Sequence, residues 1–229
     1  MTDVLLENDD ATFGGSYNRW RITRIAKLES MFGKEWFAGK HILELACAHG
    51  NIGLYLKQLG ATVTFADARQ EHLDIVLKKD PSATTILINQ DTSWNINQHF
   101  DLILHFGVLY HIDNWRQDLA SVIQHSNLIL LESAVANTTR LFDYKITEEY
   151  EGGQNAFGGI GSMPSASSIE DCLTKLGVTY TRHDDATMNT RRYIYDWVAS
   201  DQDLSNVSAS SFEDLPLYGG RRFWVITRP

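Results

Sequence analysis

Carboxylates recur at a regular place in the first half of this 229-residue chain. Three short apolar segments end in an acid or lead directly to one: Glu44 in HILELACAHGNIG, Asp67 in VTFADAR and Asp91 in ILINQD. Helix-like segments separate them, which is typical of a parallel sheet whose strands alternate with helices. Ligands of such folds bind outside the carboxyl ends of the strands, so we expect the three acids to face one ligand. That ligand must be rich in hydrogen-bond donors and positive charge.

These acids have two other interpretations. Each acid alone could be an ordinary solvated loop residue, since Asp is common in turns. Their joint position after three successive predicted strands favours a ligand site. A dinucleotide site is disfavoured because Glu44 would repel a pyrophosphate, and because the chain has neither a GxGxxG motif nor a P-loop lysine.

Hydrophobic patterning predicts the elements that position the acids. Apolar residues at helical spacing predict a leading helix over 17–32. Strands are predicted at 41–46 and 62–66 and in the segments TTILIN, FDLILHF and NLILLES, with helices between them, followed by the strands VTYTRH and RRFWVITR. Successive β-α units of this kind predict the α/β fold class with a doubly wound sheet.

The remaining segments indicate one domain over 1–229 with two insertions. The stretches 134–165 and 184–220 are polar and irregular, which is typical of substrate-facing loops over the carboxyl end of a sheet. Ser167 and Ser168, followed by Glu170, predict the N-cap of a late helix.

Composition disfavours several classes of protein. The formal charge is −9 and the basic residues of 19–27 do not form an uninterrupted run, so a large nucleic-acid footprint is not expected. No apolar run reaches the ~20 residues that span a bilayer, and the first residues lack a signal-peptide pattern. Cys47 and Cys172 are too few for a disulfide framework and lack metal-ligand spacing. We therefore expect a cytoplasmic protein with no membrane association and no metal.

The loop after the first predicted strand resembles the first motif of the class I S-adenosylmethionine-dependent methyltransferases, an acid followed by alternating small residues, in ELACAHG at 44–50. The resemblance covers about 17–229 and implies S-adenosylmethionine as cofactor. It also implies a Rossmann-like methyltransferase fold, with a seven-stranded, mostly parallel sheet whose last strand is antiparallel. This cofactor lacks phosphate but carries an ammonium, a sulfonium, a ribose diol and an adenine amine, which match the acids in turn.

The resemblance also implies roles for individual residues. Glu44, Ala46 and Gly50 would line the methionine part of the cofactor, Asp67 would accept from both ribose hydroxyls, and Asp91 would meet the adenine amine. The full set of implied cofactor-binding residues is Tyr17, Arg21, Glu44, Ala46, Cys47, Gly50, Asp67, Ala68, Asp91, Thr92 and Phe106.

This chain departs from the family motif at its first two glycines. Ala46 and Ala48 occupy those positions, so each adds a methyl group at a point of close backbone approach. The departure keeps open the hypothesis that the protein binds the cofactor without catalysing transfer.

Later segments resemble one branch of the family. FGVLYHIDNW, LLES and MPSASSIEDCLTKLGV are similar to segments of the branch that contains the tRNA wobble-uridine carboxymethyltransferase and methyltransferases of small molecules and glycans. In that branch Tyr110 would lie near the transferred group, and Arg191 or Arg192 would meet a carboxylated cofactor. No counterpart of that enzyme's basic N-terminal region precedes the first strand, which favours a small acceptor over tRNA.

Methyl transfer from a sulfonium is an in-line displacement, and positioning of the two reactants supplies most of its acceleration. A base is needed only for a hydroxyl acceptor. His111 is the first candidate and Glu132 the second, while Tyr110 is expected beside the transferred group. Either candidate base could instead be structural, His111 through packing or capping and Glu132 by accepting from backbone amides. Phe157 and Met163 are expected to wall the acceptor pocket.

Three functional hypotheses follow. The first is a cytoplasmic O-methyltransferase that acts on a sugar or another small molecule. The second is a tRNA-modifying methyl- or carboxymethyltransferase. The third is an inactive S-adenosylmethionine-binding protein. The acceptor and the oligomeric state stay open at this point.

Overall fold

The computed structural model describes residues 13–147, 155–205 and 220–228. Five α-helices and nine β-strands lie in these ranges. The helices are α1 Ser16–Phe32, α2 Asn51–Gln58, α3 Gln70–Lys79, α4 Trp115–His125 and α5 Ala166–Lys175. The strands are β1 His41–Leu45, β2 Thr62–Asp67, β3 Thr84–Leu87, β4 Leu102–Phe106, β5 Leu128–Ala134, β6 Asp143–Thr147, β7 Ile160–Pro164, β8 Thr179–His183 and β9 Arg221–Thr227. Parts of both predicted insertions, 148–154 and 206–219, lie outside the described residues.

Seven strands form one sheet in the order β3-β2-β1-β4-β5-β9-β8. The first five strands in this order are parallel, whereas β9 lies between β5 and β8 and runs antiparallel to both. The predicted fold class, a doubly wound sheet with an antiparallel last strand, is confirmed. Strand order reverses between β1 and β4, which is where such sheets open a ligand crevice at the carboxyl ends of their strands.

The two faces of the sheet bury two separate cores, because successive side chains of a strand point to opposite faces. Ile42 of β1 belongs to the core that contains residues of α1, α2 and α3. The next residue, Leu43, belongs to the core that contains residues of α4 and α5. Every residue of β4 is buried, as expected for a strand in the middle of a covered parallel sheet.

The register of the strands aligns the ends that carry the predicted acids. Leu45, which follows Glu44 in β1, is paired with Ala66, which precedes Asp67 in β2. On the other side of the crevice, Phe106 at the end of β4 is paired with Glu132 of β5. The loops that leave these strands therefore begin at the same edge of the sheet.

The insertion predicted at 134–165 is more regular than its composition indicated. Strands β6 and β7 pair antiparallel in a separate two-stranded sheet. The predicted N-cap of the next helix was wrong by two residues. Ser165 is the N-cap of α5, and its hydroxyl accepts a hydrogen bond from the Ser168 backbone N–H at 3.1 Å.

Within the described part of the chain, the search for membrane-spanning segments finds no helix that combines the necessary length and apolar character.

Candidate functional site

A cavity opens at the carboxyl ends of β1, β2 and β4 and contains most of the predicted site residues. Its lining includes Tyr17, Arg21, Glu44, Ala46, Cys47, Asp67, Ala68, Asp91, Phe106, Tyr110 and His111. Three predicted residues, Gly50, Thr92 and Glu132, lie outside the lining. Phe157, expected to wall the acceptor pocket, also lines the cavity, and the structure adds Phe13, Trp20, His49, His72, Asn89, Gln90, Asn155 and Arg221, among others.

The loop after β1 holds two alanines in a backbone conformation that favours glycine. Ala46 and Ala48 both have a φ of 48°, and Gly50 has a φ of 69°. The left-handed conformation costs an L-residue roughly 1–2 kcal/mol. Hydrogen bonds from Cys47 N–H to the Ala66 carbonyl at 3.0 Å and from Ala48 N–H to Asp67 Oδ2 at 2.9 Å hold the loop in this shape. The loop is therefore strained but preorganised.

Gly50 supports the loop from behind rather than lining the cavity. A Cβ on Gly50 would lie 2.8 Å from Val76 and 3.1 Å from the ring of Phe65. Its N–H donates to the Cys47 carbonyl at 2.8 Å. Both the positive φ and the close packing require glycine at this position.

Glu44 is a buried acid held at the start of α2. Its Oε2 accepts from the Gly53 backbone N–H at 3.0 Å, and only 6% of the residue is exposed. A Cβ on Gly53 would lie 2.5 Å from this oxygen, so glycine is needed there as well. Burial raises the pKa of Glu44 to about 8, although the Gly53 hydrogen bond and the charge of Arg21 act in the opposite direction. The sequence analysis did not identify Gly53 as a site residue. The only signal for it in the sequence is its position three residues after Gly50.

Asp67 is fixed by three hydrogen-bond partners. Besides Ala48, the Arg69 backbone N–H donates to Oδ1 at 2.9 Å, and His72 Nδ1 lies 3.1 Å from the same oxygen. An ionised carboxylate offers about four acceptor sites, so both oxygens can still accept from a ligand. His72, which the sequence did not single out, thus helps to orient the acid.

Asp91 lies on the same rim and is half-buried. Its Oδ1 accepts from the Asn114 N–H at 3.1 Å, and its own N–H donates to Asn89 Oδ1 at 3.0 Å. Burial raises the pKa of Asp91 above its usual value. The Thr92 hydroxyl donates to the Asn89 carbonyl at 2.8 Å, which explains why Thr92 does not line the cavity, whereas Asn89 and Gln90 do.

Two segments that are distant in sequence border this part of the cavity. The Phe13 ring lies 4.7 Å from that of His49 between centroids, and Arg21 Nη1 donates to the Phe13 carbonyl at 2.9 Å. From the other side, Arg69 Nη2 donates to the Asn155 carbonyl at 3.0 Å, and its guanidinium lies 5.3 Å from the centroid of Phe157. Phe157 thus lies beside Arg69, near the Asp67 end of the cavity.

Met163, the other residue expected to wall the acceptor pocket, does not line the cavity. It packs in a third core with Ile146 and Leu204. The side chain faces this core because it belongs to β7, whose pairing with β6 the sequence did not predict.

The opposite end of the cavity, beyond β4, contains Tyr110, His111, Trp20 and Arg221. The rings of Tyr110 and His111 are 4.1 Å apart between centroids. Arg221 Nη2 donates to the Tyr110 hydroxyl at 2.9 Å. Burial raises the pKa of Tyr110 to about 12, despite the opposing charge of Arg221, so the phenol keeps its proton at neutral pH.

Glu132 does not line the cavity, where a base that acts on the acceptor would have to lie. It is fully buried, with Arg24 Nη2 at 2.7 Å, Arg221 Nη1 at 3.2 Å from each carboxylate oxygen, and the Tyr195 hydroxyl donating at 2.8 Å. Burial alone would raise the pKa of Glu132, but the charges of Arg221 and Arg24 hold it below its usual value. These contacts agree with the structural alternative, although the partners are side chains rather than backbone amides.

The arginines considered for a carboxylated cofactor also lie elsewhere. Arg191 and Arg192 are exposed and do not line the cavity, whereas Arg221 does. Arg221 begins β9, which lies between β5 and β8, so it reaches the site through strand order rather than sequence proximity.

Comparison with known proteins agrees with this geometry. A family model described as a methyltransferase domain matches residues 17–183. The chain belongs to the methyltransferase-domain family, and the enzyme class predicted from the sequence, an S-adenosylmethionine-dependent methyltransferase, is confirmed. No curated protein sequence matches the chain.

Solved structures with the same fold are distant in sequence. The N-terminal domain of EvdMO1, crystallised in the presence of SAH and D-fucose, is 16% identical with a TM-score of 0.64, and the alignment covers 97% of this chain and 92% of that one. An S-adenosylmethionine-dependent methyltransferase from Mesorhizobium loti is 14% identical with a TM-score of 0.60, over 90% and 98% of the two chains. Magnesium protoporphyrin IX methyltransferase from Synechocystis, with bound SAH, is 12% identical with a TM-score of 0.58, over 98% and 91%. At these identities the likeness establishes the fold.

The strain in the loop predicts the effect of restoring the family's glycines. Replacing Ala46 or Ala48 by Gly removes the cost of the left-handed conformation, roughly 1–2 kcal/mol. It also raises the conformational entropy of the unfolded chain, which lowers the stability of the folded state by about 0.4–1 kcal/mol. We expect each change to raise the free energy of unfolding by about 0.5–1 kcal/mol in urea titrations. Ala38→Gly is the control, because Ala38 has a φ of −60° and should lose stability instead. A lower free energy of unfolding in Ala46→Gly would contradict the conclusion that the backbone at Ala46 is strained.

The buried acid predicts a pH dependence of stability. The pKa of Glu44 is about 8 in the folded protein against 4.5 ordinarily, so between these values the folded state binds more protons than the unfolded state. This contribution therefore lowers stability by about 1.4 kcal/mol per pH unit as the pH rises through that window. Urea unfolding at several pH values should show this slope in the wild type and lose it in Glu44→Gln. The exposed Glu71→Gln control should keep the slope, and an unchanged slope in Glu44→Gln would refute the assignment.

Proposed function

We propose that this methyltransferase transfers a methyl group from S-adenosylmethionine to a hydroxyl of a sugar or another small molecule. The observation that carries the proposal is the convergence on one cavity of Glu44 from β1, Asp67 from the end of β2 and Asp91 from the loop after β3. The net charge of −9 supports a small acceptor over nucleic acid. The EvdMO1 domain, which shares the fold, was crystallised with SAH and a sugar.

The three acids fit the cofactor in the order in which they lie along the rim. Glu44, close to the charge of Arg21, suits the amino-acid part, where its carboxylate would accept from the ammonium and Arg21 would meet the carboxylate. Asp67 would accept from the ribose hydroxyls with both oxygens, because Ala48, Arg69 and His72 hold it in a fixed orientation. Asp91 would meet the adenine amine.

The opposite end of the cavity suits the acceptor. S-adenosylmethionine supplies, when bound, a methyl group on a positively charged sulfur. Tyr110 and His111 lie on the wall that follows β4, and their rings restrict where an acceptor can lie. His111 accepts the proton of the acceptor hydroxyl as its oxygen forms the new bond. Glu132 positions Arg221, which in turn holds Tyr110.

The ribose assignment predicts the effect of Asp67→Asn, which keeps the shape of the side chain but removes its charge and half of its acceptor capacity. Calorimetry with S-adenosylhomocysteine should show binding at least ~10-fold weaker, because hydrogen bonds to a charged group contribute about 1.5–3 kcal/mol. Asp74→Asn, on the exposed side of α3, is the control and should bind like the wild type. The proposal fails if the wild type does not bind, or if Asp67→Asn binds equally well.

The role of His111 can be tested on turnover. In a screen of sugars and phenols followed by release of S-adenosylhomocysteine, His111→Gln should lower kcat for a hydroxyl acceptor by about 100- to 10,000-fold. Its affinity for S-adenosylhomocysteine should stay within about twofold, because the base acts on the acceptor. The exposed His99→Gln is the control. A kcat within threefold of wild type would remove His111 from the mechanism and leave a structural role.

A further inference from the structure

Two buried hydrogen-bond donors at the acceptor end of the cavity have no partner among the residues that the structure describes. They are the Trp20 indole Nε1 and the Arg221 Nε, and both belong to residues of the cavity wall. Buried donors in folded proteins are almost always paired, with protein, water or a ligand. Because both donors belong to residues that line a cavity, a ligand that brings acceptor atoms accounts for them.

The two side chains converge on one point, Gly107, which follows β4. A Cβ on Gly107 would lie 3.0 Å from Cζ2 of Trp20 and 3.7 Å from Nη1 of Arg221. Gly107 has a φ of 71° and its N–H donates to the Glu132 carbonyl at 2.8 Å, so the backbone is held close to both side chains. Tyr110, at the proposed acceptor wall, follows three residues later and accepts from Arg221. The two side chains that carry the unpaired donors thus lie together beside the proposed acceptor wall.

Counted over the described part of the chain, positive charge exceeds negative charge at the same place. Arg24 and Arg221 both pair with Glu132, so two buried cations share one buried anion. Arg24 and Glu132 are 0% exposed and Arg221 is 4% exposed. Trp20 covers Arg24, whose guanidinium lies 3.4 Å from the indole centroid. Arg221, the cavity-lining member of the pair, therefore presents the remaining charge to the cavity, in surroundings where an unpaired charge is costly.

We infer that this end of the cavity is a subsite for an anionic group of the acceptor, a carboxylate or a phosphate, which is bound by Arg221 and the indole N–H of Trp20. The inference rests on the proposed function and narrows it: the small-molecule acceptor carries an acid group beside the atom that is methylated. A planar guanidinium recognises either anion through paired hydrogen bonds. Tyr193, whose ring centroid lies 4.1 Å from the Arg221 guanidinium, supports the cation from its other side.

The carboxylate of the cofactor itself is assigned to a different arginine. Arg21 is the strongest positive neighbour of Glu44, at the end of the cavity where the amino-acid part is placed. Arg221 instead has Glu132, Tyr110, Tyr195 and Tyr193 as its strongest neighbours. The two cations therefore suit two different anions.

The experiment uses the full chain saturated with S-adenosylhomocysteine and titrated by calorimetry with three probes: benzoate, inorganic phosphate and the neutral benzamide. We expect one of the two anions to bind, and benzamide to bind at least ~10-fold more weakly than benzoate if the carboxylate is the group recognised. Comparison of benzoate with phosphate identifies which anion the subsite takes. The probes need no knowledge of the natural acceptor.

Two variants test the residues. Trp20→Phe removes the indole N–H but keeps an aromatic ring over Arg24, so the fold is preserved, and anion affinity should fall about tenfold. Arg221→Gln should lower it by about 100-fold or more. The matched controls are Trp36→Phe, whose ring stacks on Phe32 outside the cavity, and the exposed Arg228→Gln; both should bind the anion like the wild type.

The possible outcomes separate this inference from the proposed function. If the wild type does not bind S-adenosylhomocysteine, the proposed function fails. If it binds but neither anion adds to the complex, or if Trp20→Phe and Arg221→Gln bind the anion as tightly as their controls, the subsite is refuted. Competition between the anion and S-adenosylhomocysteine would also refute it, because Arg221 would then serve the cofactor carboxylate.

Discussion

The parallel pairing of β1 with β2 and β4 is the constraint on which the rest of the structure depends. It places the loops that follow these strands at one edge of the sheet, where the Ala48 N–H reaches Asp67 across the gap between two strand ends. This hydrogen bond joins the strained loop to Asp67, the acid that we propose binds the ribose hydroxyls of the cofactor. A one-residue slip of register would turn Asp67 to the opposite face and remove the bond.

The pKa values of the two buried glutamates at the two ends of the cavity shift in opposite directions. At the cofactor end, burial raises the pKa of Glu44, so its carboxyl group is mostly protonated at neutral pH. The ammonium of the proposed cofactor would bring a positive charge to the same place. At the acceptor end, Glu132 is ionised between two arginines, so positive charge is in excess among the residues described there. Burial is common to both ends, and the number of neighbouring cations decides which acid keeps its charge.

Ala46 and Ala48 show how the chain tolerates a departure from its family. Both adopt the positive φ that glycine would adopt, so the loop keeps its shape at a cost in backbone strain. The lining of the cavity still includes both residues, and the neighbouring carboxylates keep their partners. The substitutions therefore leave the architecture of the site intact, which weakens the hypothesis of an inactive protein that they raised.

The sequence by itself determined the sheet and the rim of acids, because strand periodicity and the position of a residue at a strand end are local properties. Glu44, Asp67 and Asp91 could be found in this way, as could the departure at Ala46 and Ala48. Only the tertiary structure decided what surrounds them. Arg221 reaches the cavity because β9 lies between β5 and β8, and Phe13, His72 and Asn155 line it through contacts between segments far apart in the chain.

Glu132 illustrates the physical reason for this division. Its position at the end of a strand was readable, but its role depends on two arginines that lie 108 residues before it and 89 residues after it. A carboxylate beside solvent and a carboxylate between two buried cations look the same in sequence. Burial and charge pairing separate a base from a structural ion, and both are properties of packing across the sheet rather than of spacing along the chain.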